Sequence, residues 1–243
     1  MLYFNDFQNI SYRFGDEVDT SVFQNISSYV EVIDQIKNDV TFLNAFTIQE
    51  GFRPDQVSQI LYDTPLHYWT FYLINDDLRE QGWPLIRHEF EEYIKRSFPN
   101  TTLTTKDADL PTKFKIGQTI TGNTSGATGL IIKRNIDLGQ IVVEGTQNFR
   151  QDGEILTSTN SSGNQETLII TSSVKEYQSE SHYVDGTGAI VDIDYTVGPG
   201  ALLTGKTYEE VYFAQNENLR QIAVIKPDLI NNLSSSFKRA IRG

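Results

Sequence analysis

The chain of 243 residues has no cysteine, one methionine and three histidines, and its 20 Lys and Arg are outnumbered by 32 Asp and Glu. Without thiols there is no disulfide framework, no thiolate zinc site and no cysteine nucleophile, and the redox compartment stays open. The shortage of cations gives a formal net charge of −12 and a pI near 4.7. Proteins that bind polyanions do so with clustered Lys and Arg, so direct nucleic-acid binding is not expected. No window approaches the roughly 20 apolar residues of a membrane helix, and Met1–Asp6 has no cationic stretch ahead of an apolar one, so neither a membrane span nor a signal peptide is expected. His67, His88 and His182 lack any H-x-x-x-H or H-x-H spacing, so a transition-metal site is not expected either.

Against these absences stand 38% hydrophobic and 12% aromatic residues, enough to bury a core, and 17 glycines that make the chain loop-rich. Composition divides the chain into three parts. Residues 1–106 hold both tryptophans, 107–175 are rich in Gly, Thr, Ser and β-branched residues, and 176–243 return to helix-forming patterns. The expected class is α+β, with the middle part inserted as an all-β module.

In the first part, Pro54 suits a first helical turn, and Val57, Ile60 and Leu61 share one face of a helix over about 54–62. Thr64 and Pro65 repeat the start signal before Leu66, Trp69 and Leu73, with Asn75-Asp76-Asp77 as a stop. Phe90, Tyr93, Ile94 and Phe98 mark a third helix ended by Pro99. Val30, Ile33, Ile36 and Val40 fit a helix upstream, whereas Thr41–Ile48 reads equally as strand or helix.

The middle part echoes itself. Phe114 to Ile120, then Leu130-Ile131-Ile132, is answered by Phe149 to Ile155, then Leu168-Ile169-Ile170, at an offset of 35 to 38 residues. Two hairpin-like units and about six short strands follow from this pattern. In the last part, 189–197 alternates like a strand with Asp192 and Asp194 on one face. Tyr208–Asn218 reads as helix and 220–225 as strand. Pro227 opens a terminal amphipathic helix with Leu229, Leu233, Phe237 and Ala240/Ile241 on its apolar stripe.

Two constellations invite chemistry. Gly200-Ala201-Leu202-Leu203-Thr204-Gly205-Lys206-Thr207 completes the phosphate-loop pattern G-x-x-x-x-G-K-T, in which Lys reaches phosphates and Thr holds magnesium. A phosphate-loop enzyme also needs a buried parallel sheet and a second acidic strand end, and neither is evident, so the match is read as fortuitous and no cofactor is expected. Asp192 and Asp194 could flank a glycosidic bond or hold calcium, but a solvated strand face explains them as well. No catalytic residue is assigned. What remains is a dense aromatic run, Tyr62, Tyr68, Trp69, Phe71, Tyr72 and Trp83, which two short helices cannot cover alone. A partner surface or another part of the chain must complete it.

These residues carry a resemblance. Arg53-Pro54 through Tyr62-Asp63-Thr64-Pro65 to Tyr68-Trp69, followed by Asn75-Asp76 and Trp83-Pro84, resembles the R-P-x-x-(I/L)-A-x-x-(I/L)-Y-G-x-P-x-x-Y-W…N-D…W-P signature of the small baseplate wedge protein of contractile-tailed bacteriophages. Asn216 to Ile222, with Arg220, is similar to that family's C-terminal end. Ser58 stands where Ala is common, Asp63 stands where Gly is common, and the 107–175 module has no counterpart in the smaller members. The resemblance implies a LysM-like core at about 48–98, small sheet plus short helices. It also implies a virion structural protein in several copies per baseplate, assembled in the host cytoplasm. Its partners would be other wedge subunits, neighbouring wedges and the hub. The alternative that a LysM-like core implies is peptidoglycan binding. The residues expected to build the core or its interfaces are Arg53, Pro54, Tyr62, Pro65, Tyr68, Trp69, Asn75, Trp83, Pro84, Arg220, Ile222, Leu229, Leu233 and Phe237.

Overall fold

The structure is a computed structural model that describes residues 9–15, 19–24, 37, 40–151 and 153–242. Helix and strand each account for 31% of it, so the class is α+β. Among the described residues, no helix is long and apolar enough to cross a membrane.

In chain order the elements are β1 (Asn9–Tyr12), β2 (Ser21–Gln24), β3 (Leu43–Thr47), α1 (Pro54–Tyr62), α2 (Trp69–Ile74), α3 (Asp76–Gln81) and α4 (Arg87–Ser97). Then come β4 (Thr101–Thr105), β5 (Thr119–Gly122), β6 (Thr128–Asn135), β7 (Gln140–Val143), β8 (Ile155–Thr159) and β9 (Gln165–Lys175). The chain closes with β10 (Glu180–Val184), β11 (Ile190–Val191), β12 (Thr204–Thr207), α5 (Tyr208–Asn218), β13 (Gln221–Ile225) and α6 (Pro227–Arg242).

Two compact units emerge, one comprising Met1–Ile86 with Asn216–Gly243 and the other Arg87–Gln215. In the first, β3 pairs antiparallel with β13, Leu43 opposite Ile225 and Thr47 opposite Gln221. This settles the ambiguity over Thr41–Ile48: a short apolar run takes the conformation its partner offers, and here the partner is a strand. The helix compatible with Val30–Val40 falls mostly outside the described residues; within them Lys37 is helical and Val40–Phe42 form a 3-10 turn.

Helix α1 starts as its sequence directs. Pro54 occupies the first turn and the Arg53 backbone N–H donates to Gln56 Oε1 at 2.9 Å. It ends at Asp63, which adopts φ 57°, the left-handed geometry that closes helices and favours glycine. A 3-10 turn at Pro65–His67 leads into α2, so the expected second helix is split in two. The core gathers Ile48, Val57, Phe71, Leu78, Leu219, Ile222 and Val224, and beside it Ile74, Ile225 and Ile230. Helix α6 buries Ile230, Ser234 and Phe237, with Leu229 and Leu233 only half-buried, so its inner face is rotated by about one residue from the expected stripe. The side chains of Ala240 and Ile241 lie outside the described residues. The β1–β2 hairpin pairs Ile10 with Phe23 and Tyr12 with Ser21.

The second unit contains a closed antiparallel barrel in the order β4-β7-β6-β5-β8-β9. Its interior is Leu103, Leu110, Phe114, Ile120, Ile131, Ile141, Val143, Phe149, Leu156, Leu168 and Ile170. Gly129 on β6 is required, because a Cβ there would strike the Val143 side chain. The barrel begins at Thr101, earlier than the expected 107, because the threonine-rich β4 lies between β7 and β9 and completes the closure. The unit as a whole runs Arg87–Gln215, wider than 107–175 on both sides. Hairpins β5–β6 and β8–β9 lie side by side through β5 and β8. The sequence echo, however, is out of phase with the pleat. It matches Ile120 with Ile155, but Leu156 points inward while Ile155 and Ile169 face solvent.

Outside the barrel, β11, β10 and β12 form a small sheet. The strand expected over 189–197 is confined to Ile190–Val191. Asp194 ends it, since its Oδ1 accepts from Thr196 N at 3.0 Å and Thr196 Oγ1 at 2.6 Å, an Asx turn that outcompetes the ladder.

Candidate functional site

In the β3–β13 sheet, Ile48 N donates to Arg220 O at 2.8 Å and Lys226 N to Phe42 O at 3.0 Å, so the even-numbered residues of β13 face β3. The odd-numbered backbone groups face the other way. There Asn75 Nδ2 donates to Ala223 O at 2.8 Å and to Phe71 O at 2.9 Å, and Ala223 N donates to Asn75 Oδ1 at 2.8 Å. Tyr62 Oη donates to Ile225 O at 3.0 Å. Two side chains thereby stand in for a third strand along β13. Burial of the Tyr62 phenol pushes its pKa up to about 12, against the opposing pull of hydrogen bonds with Thr70 and Ile225.

A second knot holds the turn before α4. Asn216 Oδ1 accepts from Leu85 N at 2.8 Å, and Leu85 O accepts from Asn216 Nδ2 at 3.1 Å and Arg220 Nη2 at 3.0 Å. Arg220 is buried and also donates through Nε to Glu217 at 2.8 Å. Trp83 Nε1 donates to Phe52 O at 2.7 Å, and Pro84 is buried.

The aromatic run is covered from within the unit. Tyr62 and Trp83 flank Phe71, each with its ring centroid 6.1 Å away, and Trp69 stacks on Phe237 at 5.0 Å. Tyr68 is half-buried beside this core, and Ile222 is buried in it. The expected core residues are therefore brought together, except Arg53 and Pro65, which are exposed and act at helix starts. Ser58 is fully buried, donates to Thr64 O at 2.7 Å and accepts from His67 N at 3.2 Å. His67 packs edge-on against Tyr62, and burial holds its pKa below the usual histidine value.

The phosphate-loop match does not form a loop. Thr204–Thr207 is strand β12, with Gly205 opposite Tyr183 and Lys206 opposite His182 on β10. Thr207 then caps α5, its Oγ1 accepting from Glu210 N at 3.2 Å while Thr207 N donates to Glu210 Oε2 at 3.1 Å. Its hydroxyl is committed to the cap, and Gly200 sits in a preceding turn. Among the described residues, no three His, Asp or Glu side chains converge as metal ligands.

Two features leave no mark in the sequence pattern. Ile10, Tyr12, Phe14, Val22 and Phe23 on the β1–β2 hairpin are 43%, 53%, 50%, 65% and 43% exposed, with Phe14 against Tyr12 and Phe23. Alternation within so short a segment carried no signal that both faces stay uncovered. The other is a pair of carboxylates in the barrel. Glu154, 1% exposed, accepts from Thr124 N at 3.0 Å and from Ser125 N and Arg150 N at 2.6 Å each. Glu166 accepts from Phe114 N at 3.0 Å, Gln118 Nε2 at 3.2 Å and Asn160 Nδ2 at 3.1 Å. For both, burial raises the pKa, but the donated hydrogen bonds outweigh it and hold the carboxyl below its ordinary value.

Comparison of the chain with protein-family models and with curated proteins returns no match.

Proposed function

We propose that this protein is a structural subunit of the baseplate wedge of a contractile phage tail, built on a LysM-like core. The observation that carries the reading is the knitting of the two segments that resemble the wedge family. Tyr62 and Asn75 from the first segment hold Ile225 and Ala223 beside the second, and Asn216 and Arg220 from the second hold Leu85 beside Trp83-Pro84. These contacts give the polar positions of the signature a physical reason. The family's usual Gly also has one, since Asp63 stands there at φ 57°. The order strand β3, helices α1 and α2, strand β13, with the strands antiparallel, supports the LysM likeness.

The core's apolar groups are consumed within the unit, so docking falls to other surfaces. The β1–β2 hairpin offers five exposed large apolar residues on a ribbon that is two-stranded among the described residues; such a ribbon is only marginally stable in water and gains most from being covered. Its partners are other wedge subunits, the neighbouring wedge or the hub, in multiple copies per virion. Assembly takes place in the host cytoplasm, and no catalysis is assigned. Replacing Tyr12, Phe14 and Phe23 with Ser should leave the thermal midpoint unchanged and abolish co-assembly with the other wedge subunits of the same phage. Retention on peptidoglycan, with no co-assembly by the unmodified chain, would instead favour a cell-wall-binding role.

A further inference from the structure

On the barrel's outer surface β5 and β8 run side by side, with Thr121 opposite Thr157. Side chains alternate along a strand, so Ile120 and Leu156 fill the core while Thr119, Thr121, Thr157 and Thr159 point outward. Together with segments 115–118 and 160–162, these threonines line a groove of about 820 Å³, within the size range of small-ligand sites.

The groove walls are fixed in advance. Glu166 ties the two sides together, taking Phe114 N at 3.0 Å and Gln118 Nε2 at 3.2 Å from one and Asn160 Nδ2 at 3.1 Å from the other. Gln118 Oε1 accepts from Lys115 N, and Asn160 Oδ1 accepts from Ser162 N and Asn164 N at 3.0 Å each. A site ordered beforehand spends less of its binding energy on ordering itself.

The hydroxyls of Thr119, Thr121 and Thr159 make no hydrogen bond to the described residues, so their partners come from solvent or ligand. A hydroxyl both donates and accepts, which matches a polyhydroxylated ligand. The charged lining residues are Lys115 and Glu166, and the carboxylate is already engaged. A single cation does not offset the desolvation of a phosphate or sulfate chain, and the net charge of −12 repels polyanions. Ile116, 64% exposed at the edge, supplies an apolar face for sugar C–H groups.

We infer that this groove binds a neutral oligosaccharide. The site is separate from the assembly reading and does not depend on it. The test is calorimetric titration of the full chain with chitotetraose, cellotetraose and maltotetraose, with dextran sulfate as the polyanion. At least one neutral saccharide should bind, and Thr119→Val/Thr121→Val, nearly isosteric and compatible with a strand, should weaken it about tenfold. Thr159→Val tests the other strand of the floor should the first pair fail to fold. The hairpin substitutions Tyr12, Phe14 and Phe23 to Ser should leave sugar binding intact. Absence of binding to all three neutral saccharides, equal binding by the Thr→Val variants, or binding of dextran sulfate alone would overturn the inference.

Discussion

Asn75 and Ala223 meet amide to backbone, with Nδ2 to O and N to Oδ1 both at 2.8 Å. One side chain satisfies both polar groups of a strand residue that no neighbouring strand among the described residues reaches, and it also caps the end of α2 through Phe71 O. Asn75→Ala orphans these backbone groups and should cost about 2–4 kcal/mol in chemical denaturation. Asn75→Asp keeps the acceptor but sets a carboxylate beside two carbonyl oxygens, and should be no more stable than the alanine variant.

Tyr62→Phe removes the donor to Ile225 O and should cost about 1 kcal/mol at neutral pH. The phenol's pKa is raised from 10.0 to about 12 in the folded chain, so the neutral form is the one the fold favours. Its contribution is complete below pH 10 and is lost as pH rises toward 12. The stability gap between the parent and Tyr62→Phe, measured from pH 8 to pH 12, should therefore narrow in alkali.

Much of the helical core was legible because its signals are local. Pro54 and Pro65 start their elements, α1 and α5 end where their patterns end, and the terminal helix opens at Pro227. The barrel was legible as about six short strands with two hairpin-like units, but not as a closed sheet. Closure depends on β4 pairing with β9 some seventy residues later, a register that no local pattern carries. Asp192 and Asp194 alternated like a strand, but a local Asx turn at Asp194 decided otherwise. Asn75 was legible as a helix stop, but its bonds to Ala223 were not, nor was the hold of Arg220 on Leu85, because such long-range side-chain contacts leave no periodicity.

Glu154 should govern the barrel's acid sensitivity. Its three backbone donors hold the carboxylate below the ordinary value of 4.5, so its contribution is present above pH 4.5 and lost as pH falls through the lowered pKa. Glu154→Gln should cost about 1.5–3 kcal/mol at pH 7, with the difference from the parent shrinking toward pH 3. Denaturation followed by hydrogen exchange at the amides of Thr124, Ser125 and Arg150 would locate the loss.

The G-K-T stretch should behave as strand and cap. Thr207→Ala should cost about 1 kcal/mol through the lost cap on α5, whereas Lys206→Ala should change the thermal midpoint little. Magnesium ATP should leave the midpoint of both variants and of the parent unshifted in a thermal melt.

On the proposed reading, the chain is a wedge subunit whose hairpin docks on its neighbours. Cryo-electron microscopy of contractile tails assembled in the presence of the chain is the deciding measurement. Density for the chain should repeat around the baseplate, with Tyr12, Phe14 and Phe23 covered by another subunit. Tails that lack the chain, or that carry it with the hairpin bare, would contradict it.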